Sequence, residues 1–246
     1  MSKQTGLGDE LFVDGHDIAG DVQSIGSLST PIGTLEMTGI NKYAFERQYG
    51  KRDGTIEFTS FFNTDPGASH AALKDLPRAN GHIMYLHAPG AGGPAVGMVG
   101  KRTDYAASRG DDGSLVFGVN AQASGYGIDW CVQVSDGKET HAAATEGVSV
   151  DLGTGPAAFG YQAYLQVFSI GSGTADIKLQ DSPDDSVWTD LADGAFTAVT
   201  GRTAERVQSA SDTATVNRYL RVVTTGTFTD LVFCVAVNRN QALRAI

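Results

Sequence analysis

The chain has few cysteines and no long hydrophobic run. Its 246 residues include two cysteines, Cys131 and Cys234, which are too few and too far apart for a disulfide framework or a zinc site. We expect both thiols to pack as small apolar side chains. No apolar stretch approaches the roughly 20 residues of a membrane-spanning helix, and residues 1–4 lack the apolar core of a secretion signal. The sequence therefore predicts no membrane span and folding in the cytoplasm of the cell that makes the protein.

The sequence also lacks the motifs of common catalytic sites. It contains no Gly-x-Ser-x-Gly elbow, no His-Glu-x-x-His and no Walker loop. The histidines are scattered without ligand spacing. The doublets Asp111-Asp112 and Asp184-Asp185 are typical of solvated turns, since neighbouring residues rarely face each other across a substrate. We therefore expect no enzyme, no cofactor and no metal, with a glycan-cleaving enzyme as the less favoured alternative.

Acidic residues outnumber basic ones, with a formal net charge of −10 and a pI of about 4.8. Proteins that hold nucleic acid through phosphate contacts need clustered Lys and Arg, so the charge argues against DNA binding. It does not exclude DNA as cargo, because a passage lined by like charge repels the polyanion and prevents sticking. Simple solubility is the alternative explanation of the same charge.

Short alternating patterns separated by turn signals predict a mainly β protein. Asp14-Gly15 between two short strand patterns is a hairpin signal, because both central residues of a type I′ turn need positive φ. Residues 96–105 and 115–123 read as two strands joined by a hairpin around residues 110–113. Ser24 to Leu35 is rich in Gly, Ser and Thr and reads as an extended loop.

One short helix is expected after the strand pattern of residues 55–62. Thr64 or Asp65 offers an N-cap oxygen, and Pro66 suits the first helical position. The helix is expected to end near Asp75. A lone helix among strands indicates an α+β decoration on a sandwich, since alternating βαβ units would need repeated helices.

The length predicts one or two domains, and we favour two. Residues 135–147 lose all large apolar side chains, which is typical of a linker. We therefore expect domains at 1–145 and 146–246 whose cores fold independently. Strand patterns between Tyr161 and Val237 recur at a spacing that is typical of a jelly-roll or immunoglobulin-like sandwich.

Five short sequence words follow one another in the N-terminal half. They are Thr38-Gly39-Ile40, Ala44-Phe45-Glu46-Arg47, Arg52-Asp53-Gly54, Phe61-Phe62-Asn63 and His70-Ala71-Ala72-Leu73. Their order resembles the tail tube (major tail) proteins of long-tailed bacteriophages, especially phages of actinobacteria, over residues 7–130. The resemblance implies a tail-tube β-sandwich with one flanking helix, and hexameric rings that stack into a tube for DNA. It also implies a place in the virion tail beside the tape measure, tail terminator and baseplate proteins.

Three words in the C-terminal half resemble a module that is appended to many phage virion proteins. They are Ile177-Lys178-Leu179-Gln180-Asp181-Ser182, Phe196-Thr197-Ala198-Val199-Thr200 and Arg218-Tyr219-Leu220-Arg221-Val222. The resemblance implies a decoration domain on the virion surface. Because the linker lets the two cores fold independently, we expect residues 146–246 to be dispensable for tube formation. Trp188 could stack on a sugar, although a Trp in a strand pattern is more often core. A carbohydrate- or receptor-binding tail protein and a capsid decoration protein are therefore alternatives.

Two groups of residues are candidates for the functional surfaces. Aromatic and arginine side chains concentrate as they do in interface cores, so we expect subunit contacts at Tyr43, Phe45, Arg47, Tyr49, Lys51 and Arg52. Packing within the subunit is the alternative. Carboxylates concentrate around the first hairpin with no Lys or Arg among them, and we expect them to face the channel; a solvated surface is the alternative. They are Asp9, Glu10, Asp14, Asp17 and Asp21.

Overall fold

The computed structural model describes residues 5–244, and strands dominate it. In the N-terminal half the strands are β1 (Glu10–Val13), β2 (His16–Asp17), β3 (Val22–Ser29), β4 (Ile32–Glu36), β5 (Arg47–Arg52), β6 (Thr55–Phe61), β7 (Gly81–Leu86), β8 (Pro94–Arg109) and β9 (Leu115–Gln133). In the C-terminal half they are β10 (Glu139–His141), β11 (Thr145–Glu146), β12 (Val150–Asp151), β13 (Tyr161–Ser169), β14 (Ser172–Ser182), β15 (Thr189–Ala195), β16 (Thr203–Gln208), β17 (Tyr219–Thr229) and β18 (Leu231–Arg239). A 3-10 turn (Ala19–Asp21) and one short helix, α1 (Ser69–Leu73), complete the secondary structure of the described residues. The prediction of a mainly β protein is confirmed.

Most strands belong to one antiparallel sheet that runs through both halves of the chain. Its order is β16-β13-β18-β9-β8-β7-β1-β2, with β10 beside β18 and with β6 between β9 and β3. The halves meet at β9, which pairs with β6 at residues 116–122 and with β18 at Val132 and Gln133. A second sheet has the order β11-β17-β14-β15, with β12 beside β17, and β4 and β5 form a separate two-stranded ribbon.

The first hairpin forms where the sequence predicts it. Asp14 and Gly15 have φ values of 50° and 74°, as a type I′ turn requires. A Cβ atom at Gly15 would lie 2.5 Å from the carbonyl oxygen of Val167 on β13. The Gly15 amide donates a 2.6 Å hydrogen bond to the Gln166 side chain. The turn is therefore anchored on the C-terminal half, and only glycine fits at its second position.

The long hairpin of β8 and β9 confirms the prediction for residues 96–123. The prediction of a loop from Ser24 to Leu35 is wrong. That segment contains most of β3 and most of β4. β3 pairs with β6, where Leu28 lies opposite Ile56, and Leu28 packs against the N-terminal core. The partner strand supplies the apolar contacts that a Gly- and Ser-rich segment cannot make alone.

The predicted helix exists, but its start and its cap differ from the expectation. It begins at Ser69, and neither Thr64 nor Asp65 caps it. The carboxylate of Asp21, from the 3-10 turn, accepts the Ser69 amide at 2.9 Å. A cap that is far away in sequence leaves no local signal, which explains why the sequence pattern placed the helix start too early.

The second sheet packs on β13 and β18 and forms the C-terminal core. Leu165 on β13, Ile177 on β14, Val222 on β17 and Phe233 on β18 are all buried in this core. The arrangement is a two-layer sandwich in which one layer belongs to the large sheet. Its assignment as jelly-roll or immunoglobulin-like stays a prediction.

A third buried cluster, the seam cluster, joins the two halves. Its members are Phe12, Met84, Leu86, Ala95, Val99, Cys131, Tyr164, Phe168, Cys234 and Ala236. The rings of Phe12 and Phe168 meet edge to face with their centroids 4.7 Å apart. Both cysteines are free and buried there, as expected for packing. The large sheet must curl to bring strands from both ends of its order into one cluster.

Residues 135–147 do not form the unstructured linker that their composition predicts. They include β10, which pairs with β18, and β11, which pairs with β17. The division into 1–145 and 146–246 stays a prediction. The seam cluster argues against its corollary that the two cores fold independently, because separating them would expose ten mostly apolar side chains.

We expect the substitution Phe168→Ala to lower the free energy of unfolding by about 3–5 kcal/mol, the usual cost of removing a buried Phe ring. Because the ring belongs to the seam cluster, both halves should unfold together at the lower midpoint. The chain offers one tryptophan in each half, Trp130 and Trp188. Denaturant titration of the single-tryptophan variants Trp130→Phe and Trp188→Phe would report the halves separately.

The variant Phe228→Ala is the control, because Phe228 lies in the C-terminal core alone. If the two halves form a single cooperative unit, Phe228→Ala should also shift the unfolding midpoints that both tryptophans report. A shift of the Trp188 signal alone would show that the halves unfold independently and would contradict the expectation.

Candidate functional site

An exposed two-stranded arm is the most prominent surface feature of the N-terminal half. The arm consists of β4, β5 and the residues 37–46 between them. Its strands pair antiparallel, with Thr34 opposite Tyr49 and Glu36 opposite Arg47, and they join neither of the larger sheets. An isolated two-stranded hairpin is marginally stable in water. Among the described residues, no further strand pairs with the arm to support it.

The arm carries a concentration of exposed apolar side chains. They are Ile32, Leu35, Met37, Ile40, Tyr43, Phe45 and Tyr49. Ile40 and Tyr43 at the tip are fully exposed, and Phe45 and Tyr49 expose about two thirds of their surface (66% and 70%). Single exposed apolar residues are common, but a contiguous group usually marks a contact surface.

The structure brings together five of the six residues predicted for subunit contacts. Tyr43, Phe45, Arg47, Tyr49 and Lys51 are exposed along the arm. The Arg47 guanidinium lies 4.8 Å from the centre of the Phe45 ring. Packing of these aromatics inside the subunit, the alternative interpretation, is therefore not what is found. Their contact with another subunit stays a prediction.

Arg52 differs from the other five because it turns inward at the base of the arm. Its guanidinium donates to the carbonyl oxygen of Ile128 at 2.9 Å and lies 3.4 Å from the Asp129 carboxylate. Ile32, Leu35 and the other apolar residues of the arm lie outside the predicted contact group, because the first part of the segment reads as a loop.

The predicted acidic group meets basic side chains that come from elsewhere in the chain. Asp14 pairs with Arg102 at 2.7 Å, and Asp9 pairs with His87 at 2.9 Å. Asp9 also accepts a hydrogen bond from the Tyr85 hydroxyl. The hydrogen bonds to Asp9 outweigh its partial burial and lower its pKa. These carboxylates hold β1 and β2 to β7 and β8.

Asp17 and Asp21 are also engaged within the chain. Asp17 forms an ion pair with Lys138. Asp21 accepts from the side-chain amide of Asn63 and from the backbone amide of Ser69, each at 2.9 Å. The negative potential that the sequence suggested is therefore partly compensated. The channel-facing role of the five carboxylates stays a prediction.

Glu10 has the least favourable surroundings of the group. One of its carboxylate oxygens is buried and has no hydrogen-bond partner among the described residues. Burial raises the pKa of Glu10, the neighbouring Asp17 raises it further, and Lys138 partly offsets both. The charged form of Glu10 is therefore disfavoured in the folded protein.

Nothing in the described residues suggests a metal centre or a membrane helix. Between residues 5 and 244, no three His, Cys, Asp or Glu side chains are placed to hold a metal ion. Within the same range, no helix is long and apolar enough to cross a membrane.

The doublets at residues 111–112 and 184–185 form turns, in which Asp112 accepts from the Ser114 amide and Asp184 from the Ser186 amide, each at 3.0 Å.

Trp188 is half-buried and does not belong to the C-terminal core cluster. The Arg221 guanidinium stacks over its ring, 4.4 Å from the ring centre. Arg221 also donates two hydrogen bonds to the side-chain oxygen of Gln180, at 3.0 and 2.7 Å, and one to Glu146 at 2.7 Å. The face of Trp188 toward Arg221 is thus already occupied within the chain.

No family model matches the chain, and no curated protein matches it. Solved structures give weak similarities. The tail of an empty GTA particle with C6 symmetry is 12% identical, with a TM-score of 0.32 over 43% of this chain and 78% of that one. The SPP1 Dit protein, described as a paradigm of the hub adsorption apparatus in phages infecting Gram-positive bacteria, is 13% identical, with a TM-score of 0.32 over 94% and 98%. A chain of the activated phage p2 baseplate with Sr is 8% identical, with a TM-score of 0.34 over 96% and 99%. TM-scores below 0.5 carry no argument about function.

We expect Asp21→Ala to lower the free energy of unfolding by about 1 kcal/mol, the usual cost of losing a helix cap. Asp65→Ala is the matched control, since Asp65 precedes the helix but its side chain does not cap it. The control should change the free energy by less than about 0.5 kcal/mol. Chemical denaturation of both variants measures the difference. Equal effects would contradict the capping role of Asp21.

We expect Glu10→Gln to stabilise the protein at pH 7, because the neutral amide removes the negative charge that burial and the neighbouring Asp17 disfavour. An acid whose folded-state pKa is raised destabilises the fold as the pH rises above its ordinary value of 4.5 and through the folded-state pKa. The gain should therefore vanish below pH 4.5. Thermal unfolding at the two pH values measures it.

Glu57→Gln is the control, because Glu57 is exposed and accepts from the Asn120 side chain at 2.9 Å. It should change little at either pH. A destabilising effect of Glu10→Gln at pH 7 would contradict the argument.

Proposed function

We propose that the chain is a structural protein of a phage tail, a tail tube subunit that assembles into stacked hexameric rings and forms the conduit for DNA. The exposed apolar arm is the observation that carries this proposal. Assembly explains why a small β protein would keep seven large apolar side chains in water on a ribbon that pairs with no further strand among the described residues. The order of the N-terminal sequence words is independent support.

The arm suits a contact between copies of the chain. Each large aromatic ring that becomes buried removes about 150–250 Å² from water, and Tyr and Arg are frequent among the residues that dominate interface energies. Docking on a neighbour would also give the ribbon a packing partner. An arm on one copy and its acceptor elsewhere on the next make a head-to-tail contact, which closes into a ring or continues as a filament.

The charge of the chain suits a conduit through which DNA slides. A net charge of −10 per subunit multiplies around a ring and repels phosphate groups. The proposal places Asp9, Glu10, Asp14, Asp17 and Asp21 toward the bore. Their pairing with Arg102 and Lys138 lowers their net contribution, so the conduit depends on the total charge of the subunit more than on these five carboxylates.

Assembly is tested with the double variant Tyr43→Ser, Phe45→Ser. Both side chains are exposed in the single chain, so the melting temperature should stay unchanged while assembly requires at least about tenfold more protein, a loss of ~1.4 kcal/mol. Negative-stain microscopy and sedimentation over a range of concentrations measure this. The wild-type chain should give rings or tubes under the same conditions.

Val187→Ser serves as the control, because Val187 is exposed on the C-terminal sandwich, away from the arm. It should assemble like the wild type. Equal assembly of the arm variant and the control, or a wild-type chain that stays monomeric at every concentration and salt level, would contradict the proposal.

A further inference from the structure

A cleft of about 750 Å³ lies between the two halves of the chain, at the base of the arm. Its walls come from the end of β5 and the middle of β9 on one side, and from β16 and the C-terminal residues on the other. Four cationic side chains line it: Lys51, Arg52, Arg206 and Arg244. Asp212 is the acidic residue among its lining residues.

Three of the cations converge on a single buried carboxylate beneath the cleft. Asp129 is almost fully buried, with its side chain 1% exposed. It lies 3.4 Å from Arg52 and 3.6 Å from Arg206 and forms a further ion pair with Arg244. The Tyr164 hydroxyl donates to it at 2.6 Å. One carboxylate therefore forms ion pairs with three guanidinium groups.

The cleft has an excess of positive charge. Four cations face two carboxylates, Asp129 and Asp212, which leaves two positive charges without a matching negative charge among the lining residues and the carboxylate beneath them. The chain as a whole has a net charge of −10, so the charge of the cleft is opposite in sign to that of the chain. Like charges that lie close together repel one another, and a bound counter-charge offsets this repulsion.

The arginines are held in place while some of their donors stay reachable. Arg206 stacks on the Tyr126 ring at 3.9 Å and donates to the Tyr164 hydroxyl at 3.1 Å and to Gln208 at 2.9 Å. Arg52 and Arg244 keep about a quarter of their side chains exposed, 24% and 23%. Positioned guanidinium groups bind carboxylates and phosphates with two parallel hydrogen bonds.

We propose that this cleft is a binding site for a doubly charged oxyanion. Two sources share that chemistry: a free dianion of the phosphate type, and a pair of carboxylates on an acidic loop of a second copy of the chain. The bound anion balances the two excess charges and bridges the halves, since both contribute guanidinium groups. Binding of a free dianion does not depend on the tail assembly proposed above, whereas binding of a second copy rests on it.

The first test is thermal unfolding of the full chain in inorganic phosphate and in chloride at matched ionic strength. A ligand that binds only the folded state raises stability in a saturable manner. Phosphate also raises the stability of most proteins weakly by exclusion from their surface. The informative quantity is therefore the difference between variants, and the variants Lys51→Gln and Arg244→Gln should lose at least half of the phosphate-dependent shift in melting temperature.

Arg218→Gln is the matched control, because Arg218 pairs with Asp151 at 2.6 Å on the exposed surface of the C-terminal sandwich and does not line the cleft. It should keep the full phosphate shift. A shift that is the same in every variant and does not saturate would overturn the proposal.

Asp129→Asn gives an effect of the opposite sign. Removing this carboxylate increases the positive excess of the cleft, so phosphate should bind at least threefold more tightly in calorimetric titration, even though the variant is less stable without phosphate. A simple loss of structure would instead weaken binding, as Arg244→Gln does. Weaker binding by Asp129→Asn would overturn the proposal.

The two sources are separated by sedimentation in rising phosphate. If the carboxylates of a second copy fill the cleft, phosphate should dissociate wild-type assemblies at concentrations at which chloride does not. If the ligand is a free dianion, the assembly state should not change while calorimetry still detects binding. Either result supports the site, and the absence of phosphate binding together with phosphate-insensitive assembly overturns it.

Discussion

Burial of β13 on both faces is the constraint on which the rest of the structure depends. Its residues from Tyr161 to Phe168 are all buried, so side chains that point either way need a core. One face packs against the second sheet, and the other packs against β1, β7 and β8 of the N-terminal half. Because β13 pairs with β16 and β18 along its two edges, its position fixes the relative placement of both halves.

Buried polar groups make that placement specific. Gln166 on β13 accepts from the Gly15 amide at 2.6 Å and donates to the carbonyl oxygen of His82 at 3.1 Å. Leaving either group unpaired costs about 1–3 kcal/mol, so a shift of β13 by one residue is strongly disfavoured. A separate buried hydrogen bond joins Tyr164 of β13 to Asp129 beneath the cleft. Apolar contacts hold the halves together, whereas these hydrogen bonds select one register.

Local signals in the sequence predict the hairpins, the existence of the helix and the β-rich class, because turn residues such as Asp14-Gly15 and alternating patterns act over a few residues. Features that depend on distant partners are not predictable in this way. They include the strand pairing of residues 24–35 and the cap that Asp21 gives to α1. For the candidate site, residue type predicted a contact surface around Tyr43, but its exposure follows from the separation of the arm from both sheets. Nothing in the local sequence around Asp129 signals its three arginine partners.

The two cysteines give the seam cluster a consequence of a different kind. Cys131 lies on β9 and Cys234 on β18, and both thiols are buried where the halves meet. Burial raises the pKa of both thiols, that of Cys234 to about 12, so neither reacts while the halves stay closed. Reaction with a thiol reagent requires an opening event. The rate at which a thiol reagent labels these two cysteines in the unmodified chain therefore reports how often the two halves separate.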